Sequence, residues 1–213
     1  MVAEAGGCSG NAGRDPEAAD WASVTIDTPL EPAALRAFLD DIERLFRINP
    51  LLEFRAFEPL GGNRYRLGVL NLANAREIDV EIAVRPGADA VAVSYGSGLK
   101  TSTTFHVQPH ESAARLILRE AYGGSEAERR ARIEEVDTSL NAWGRALHEY
   151  FRHWARWSWL PPWRWYIMRV WQPMRPSARR IVYMIWVISL VEMIALVVIG
   201  GLLVALGGLS PTR

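Results

Sequence analysis

From Ile181 to Leu206 the chain runs through an almost unbroken apolar stretch, IVYMIWVISLVEMIALVVIGGLLVAL, with Glu192 as its one charge. A hydrocarbon core about 30 Å thick is crossed by roughly 20 apolar residues of helix. The stretch exceeds that length and predicts a transmembrane helix over 179–208, followed by a short tail at 209–213. What precedes it must then be a domain held beside a bilayer. No secretory signal, and no apolar run before the single cysteine Cys8, is found near the N-terminus. The expectation is a tail-anchored, single-pass protein. Arginines crowd the N-terminal side of the span and only Arg213 follows it, so the positive-inside rule places the globular part in the cytoplasm.

The formal net charge of zero hides an asymmetry. Residues 1–149 carry 16 basic and 23 acidic side chains. Between Tyr150 and Arg180 there are seven arginines and no acid. An acidic globule argues against nucleic acid as its partner, and a basic collar suits anionic lipid headgroups. One cysteine excludes an intrachain disulfide.

Residues 1–20 are small and polar, without periodicity, and are expected to be a disordered leader. Ala22–Asp27 reads as a first strand, with Val24 and Ile26 on one face. Pro32 then opens a helix whose stripe is Leu35, Phe38, Leu39, Ile42, Leu45 and Phe46, closed by Asn49-Pro50. From Leu51 to Tyr122 the period becomes two. Six strands are expected, at 52–58, 64–70, 76–85, 90–96, 101–108 and 113–122, joined by short turns: an antiparallel meander with one buried face. Ser125 and Glu128 form a capping box. The long helix after it carries Ile133, Val136, Leu140, Trp143, Leu147, Tyr150, Trp154 and Trp157 at steps of three or four, until Pro161-Pro162 stops it.

Strand, helix, six antiparallel strands and a long helix over 21–159 make an α+β domain. This order resembles the helix-grip fold of the START-like, or Bet v 1-like, superfamily (SRPBCC), which includes polyketide cyclase/dehydrase-like proteins. The opening VTIDTPLEPAALRAFLDDIERLFRINP is similar to the usual start of such domains. The resemblance implies a curved sheet wrapped around the long helix, with an apolar cavity between them. It also implies a binder or carrier of lipids, quinones, isoprenoids or polyketides, with enzymes a minority. Read onto this chain, the cavity walls are Tyr65, Leu67, Val80, Ile82, Val93, Tyr95, Thr103, Phe105, Trp143 and Leu147. Tyr65, Tyr95 and Thr103 would orient a ligand.

No GxGxxG, Walker loop, HExxH, CxxC or GxSxG is present. His148 and His153 stand about 140° apart around a helix, a poor pair for one metal. No metal and no cofactor is expected, no catalytic residue is assigned, and the reading leans away from an enzyme. Six of the nine tryptophans fall within eighteen residues, interleaved with arginine. Arg152, Trp154, Arg156, Trp157, Trp159, Trp163, Arg164, Trp165, Arg169, Trp171, Arg179 and Arg180 are expected at the membrane interface. The segment 160–178 would be a bent, partly helical collar. A collar packed on a partner protein is the competing reading.

Within the span, Glu192 is expensive unless it is protonated or hydrogen-bonded to another helix. Ser189, Gly200, Gly201 and Ala205 lie where close helix packing would use small residues. Two function classes follow. The first is a non-catalytic binding domain for an apolar small molecule beside the bilayer. The second is an accessory or assembly subunit whose span packs on a partner complex or a second copy. A cyclase or aromatase is less favoured, because the inward positions named above are nearly all apolar.

Overall fold

A computed structural model describes residues 3–4, 20–98, 100–123 and 133–207. They fall into two compact units, Met1–Pro173 and Met174–Arg213.

In the first unit, β1 (Ala3–Glu4) pairs with β2 (Asp20–Thr28), which leads into α1 (Pro32–Leu39) and α2 (Ile42–Ile48). The meander follows: β3 (Leu52–Gly61), β4 (Arg64–Asn71), β5 (Arg76–Pro86), β6 (Ala90–Tyr95), β7 (Lys100–His110) and β8 (Ala113–Tyr122). Every pairing is antiparallel, in the order β1-β2-β8-β7-β6-β5-β4-β3. The seven long strands are those expected from the alternation, each within about three residues at its ends. Turn chemistry explains the joints. Gly62 and Asn63 both take positive φ (59° each), the left-handed pair that a two-residue hairpin loop needs.

Alternation decides the core. Val80 and Ile82 on β5, Val91 and Val93 on β6, Phe105 and Val107 on β7, and Leu116 and Leu118 on β8 are all buried. Their strand neighbours face out. The long helix α3 (Ile133–Trp157) lies against β2 and α2, and buries Leu140, Trp143, Leu147, Tyr150 and Phe151. Trp143 is its anchor. Its ring meets Phe46 at 5.3 Å and Phe105 edge-on at 5.6 Å, and its Nε1 donates to the Leu45 carbonyl at 3.1 Å. This is the helix-grip arrangement. The capping box at Ser125 and Glu128 lies outside the described residues.

Two elements differ from expectation. The leader expected to be disordered over 1–20 contributes the short strand β1, Ala3 and Glu4 pairing with Val24 and Ser23 of β2. The single helix expected from Pro32 to the Asn49-Pro50 stop is two, because the chain breaks at Asp40-Asp41. The Asp41 carboxylate accepts the Arg44 backbone N–H at 3.0 Å and caps a new helix. The stripe residues are buried either way, which is why spacing alone does not reveal the break.

After α3 the collar is helical. Pro161 opens α4 (Pro161–Tyr166), which continues into one turn of π-helix at Ile167–Trp171. Ile167 and Trp171 pack against the domain core. The second unit is α5 (Pro176–Gly207). Within Pro176–Val204 an 18-residue apolar window has a mean hydropathy of 2.7, and none of it is buried.

Candidate functional site

A pocket of about 280 Å³ opens between the sheet, α2 and α3. Its lining mixes apolar side chains, among them Phe46, Leu52, Leu67, Val69, Val80 and Trp143, with polar ones, among them Asn49, Asn71, Arg76, Glu77, Lys100, Glu120, Tyr122 and Ser139. Of the ten cavity residues expected from sequence, Leu67, Val80, Tyr95 and Trp143 line it. Ile82, Val93, Phe105 and Leu147 are fully buried in the core packing. Thr103, also fully buried, stands one hydrogen bond behind the wall, 2.8 Å from the Tyr95 hydroxyl. Tyr65 instead stacks on Phe57, with ring centroids 5.0 Å apart.

The cluster of Lys100, Glu120 and Tyr122 is the feature not expected. Glu120 is 1% exposed. Its Oε1 pairs with the Lys100 ammonium and its Oε2 accepts the Tyr122 hydroxyl. Both donors are charge-assisted partners of one carboxylate. The same ammonium lies 5.9 Å from the Tyr95 ring. Burial, and then the Glu120 charge, push the Tyr95 hydroxyl well above the usual phenol range, against the opposing pull of its bond to Thr103. The Tyr95 ring is only half-buried, but its hydroxyl is tied to a fully buried partner and stays a neutral phenol.

Strand parity signals Glu120: it follows Leu116 and Leu118 at steps of two on the inward face of β8. Lys100 carries no such signal. Its parity on β7 is opposite to that of Thr103 and Phe105. The ladder skips Thr101, pairing Lys100 with Tyr122 and Ser102 with Ala121, and this bulge returns Lys100 to the inward side. The pocket thus combines apolar walls with a hydrogen-bonding, charge-paired cluster. Among the described residues no cluster of three or more His, Cys, Asp or Glu could hold a metal ion.

The collar divides. Trp154, Trp163 and Trp171 are half-buried: Trp154 stacks on Tyr150 at 6.0 Å, Trp163 meets Trp154 at 5.9 Å, and Trp171 meets Tyr150 at 5.9 Å. Trp157, Trp159 and Trp165 are exposed, as are Arg152, Arg156, Arg164 and Arg169. On α5, Arg179 is half-buried, while Arg180, Ser189, Glu192, Gly200 and Gly201 are exposed. Ala205 lies on the same helix, with its side chain outside the described residues.

No protein-family model and no curated protein matches the chain. Solved structures do. The Zhui aromatase/cyclase from a Streptomyces species superposes with a TM-score of 0.53 at 11% identity, covering 65% of this chain and 96% of that one. A START superfamily protein from Mycobacterium smegmatis gives 0.50 at 15% identity, covering 62% and 97%. The di-domain ARO/CYC StfQ of the steffimycin biosynthetic pathway gives 0.50 at 8% identity, covering 63% and 52%. At such identities the likeness is one of fold. The chain has the START-like helix-grip fold, with a long apolar helix added at its C-terminal side.

Proposed function

We propose that the protein is a membrane-anchored binding or carrier domain for an apolar small molecule with a hydrogen-bonding head, such as a quinone, an isoprenoid or a lipid, and that it works without a covalent step. The observation that carries this reading is the mixed lining of the pocket. Phe46, Leu67, Val80 and Trp143 offer apolar surface, and Lys100, Glu120 and Tyr122 offer a fixed polar end. The unburied apolar helix α5 supports anchoring. The arginines before it support a cytoplasmic globule. In this reading the bilayer supplies the ligand.

Mass spectrometry of the organic-extractable molecules carried by the detergent-purified chain tests the proposal. One apolar molecule is expected at near-stoichiometric amount. It should be lost in Ser139→Phe, which puts a ring into the pocket from α3. A wild-type protein that neither carries nor takes up any apolar molecule refutes the reading.

The polar cluster also supports a second reading, an enzyme of the aromatase or cyclase kind, because a carboxylate and two phenols are the groups that move protons in a pocket. Turnover of a polyketide-like substrate, abolished by Tyr122→Phe or Glu120→Gln, would favour it over a carrier.

A further inference from the structure

Away from the pocket, Arg44 on α2 is 8% exposed, more than nine-tenths buried. Its guanidinium carbon lies 4.0 Å from the Trp154 ring centroid, 4.3 Å from Phe38 and 5.3 Å from Tyr150. Nε and Nη2 donate to the Tyr150 hydroxyl at 3.0 and 2.7 Å. No carboxylate among the described residues pairs with it. The three acids nearest in sequence are occupied. Asp40 pairs with Arg36 and Glu43 with Arg47. Asp41 accepts the backbone N–H of Arg44. Nη1 has no hydrogen-bond partner among the described residues, and it is not among the side-chain atoms sealed from solvent without one.

An arginine keeps its charge under any ordinary condition. Burying a cation with no opposite charge is unfavourable, and facing aromatic rings offset only part of that. Tyr150 holds one edge of the guanidinium and leaves the Nη1 side as a planar donor edge, the shape that suits phosphate oxygens. The surroundings favour an anion too. Trp154 and Tyr150, two of the three rings around Arg44, contact Trp163 and Trp171 of the collar. The chain from Tyr150 to Arg180 has no acid.

We propose that the free edge of Arg44 is a binding point for a phosphate group, that of a membrane phospholipid, separate from the small-molecule pocket, which none of Phe38, Arg44, Tyr150 and Trp154 lines. The phosphate chemistry stands on Arg44 and its cage alone. The lipid as its source rests on reading α5 as a membrane anchor.

The test uses the full chain in a phosphate-free detergent. Tryptophan fluorescence, to which Trp154 contributes, is followed as short-chain phosphatidylglycerol, short-chain phosphatidylcholine or inorganic phosphate is added. Wild-type protein and Arg85→Gln, which removes an exposed charge on β5 far from the collar in sequence, should show the same saturable phase with the lipids. Arg44→Met should weaken it about tenfold or more, the worth of a hydrogen bond to a charged group. Arg44→Lys retains the charge where the Met variant fails to fold, and should also weaken binding, because a point charge loses the planar edge. Saturation by inorganic phosphate at equal affinity, with the same Arg44 dependence, supports the site and assigns it to the free anion. Absence of any saturable phase, or equal binding by wild type and Arg44→Lys, overturns the proposal and leaves Arg44 as a packing residue. A saturable phase kept in Arg44→Met and lost in Ser139→Phe would come from the pocket, whose wall includes Trp143, so the two readings fail separately.

Discussion

Lys100 reaches Glu120 on the neighbouring strand because the ladder between them carries one extra residue, Thr101. The pair is unequal in exposure: Glu120 is sealed at 1%, while the Lys100 side chain keeps 31%. Removing one member of a buried pair leaves the other charged and uncompensated. Lys100→Met should therefore destabilise the domain by about 1–3 kcal/mol, below the fully buried case because water still reaches the ammonium. Lys100→Met combined with Glu120→Gln should recover most of the loss. Urea unfolding of the single and double variants measures both. A double variant as unstable as the single would mean that Lys100 acts by packing rather than by pairing.

Tyr95 titrates above the usual phenol range in the folded protein, against an ordinary value of 10.0. The sign follows from linkage. Below that ordinary value both states hold the proton and the contribution of Tyr95 is complete. Above it the unfolded chain releases the proton while the folded one retains it, so stability falls as pH rises. Tyr95→Phe should flatten this alkaline fall. The comparison is of unfolding midpoints on either side of the ordinary phenol value. Parallel curves for wild type and variant would show that the hydroxyl titrates freely.

These two groups also show how far the sequence was legible. Period-two alternation located the seven long strands and the inward face, because one buried face forces that pattern. It placed Glu120 inward as surely as Leu118, but a search for apolar walls passes over an acid in the same register. Lys100 was not legible, since a bulge reverses parity without a sequence mark. Nor does parity separate Leu67, which lines the pocket, from Ile82, which is packed. That depends on where α2 and α3 come to rest over the sheet. The break at Asp40-Asp41 was hidden because Phe38, Leu39 and Ile42 meet the core whether the helix is one piece or two.

Gly144 fixes that resting place for α3. A Cβ there would meet Val24 Cγ2 at 2.9 Å and Cγ1 at 3.1 Å. Val24 is fully buried and β-branched, so its methyls have little room to turn aside. Alanine in a helix interior gains about 1 kcal/mol over glycine. Overpacking a tight core costs about 1–3 kcal/mol. Gly144→Ala should thus be net destabilising by up to about 2 kcal/mol. In a Val24→Ala background, where the clash is gone, the same change should turn neutral or stabilising. Thermal unfolding of the four proteins in that cycle tests it, and simple additivity would exclude steric coupling between the two positions.

The hairpin joining β3 and β4 separates backbone strain from packing. Gly62 has φ +59° and no atom within 4 Å of where a Cβ would stand. Gly62→Ala should cost about 1–2 kcal/mol through the left-handed conformation alone. Gly62→Asn should cost less, since asparagine tolerates that region. Equal losses for the two would point instead to a contact made by the turn.

On α5, Glu192 is the single acid of the apolar window and is exposed along the helix. If α5 spans a bilayer, the full chain should stay with membranes through alkaline carbonate washing, and a chain ending at Pro173 should not. A carboxyl at mid-span costs about 2.5–3.5 kcal/mol on insertion, less where it finds a partner. Cross-linking in mild detergent shows whether it has one. A second copy or a partner protein held through Glu192 should be captured less in Glu192→Leu and as well as in wild type in Glu192→Gln, whose amide can still bond across helices. Such a bond is worth about 1 kcal/mol, so the expected change is several-fold rather than absolute. Equal cross-linking in all three would leave Glu192 out of the contact, and would shift attention to the small residues Gly200, Gly201 and Ala205 further along the helix.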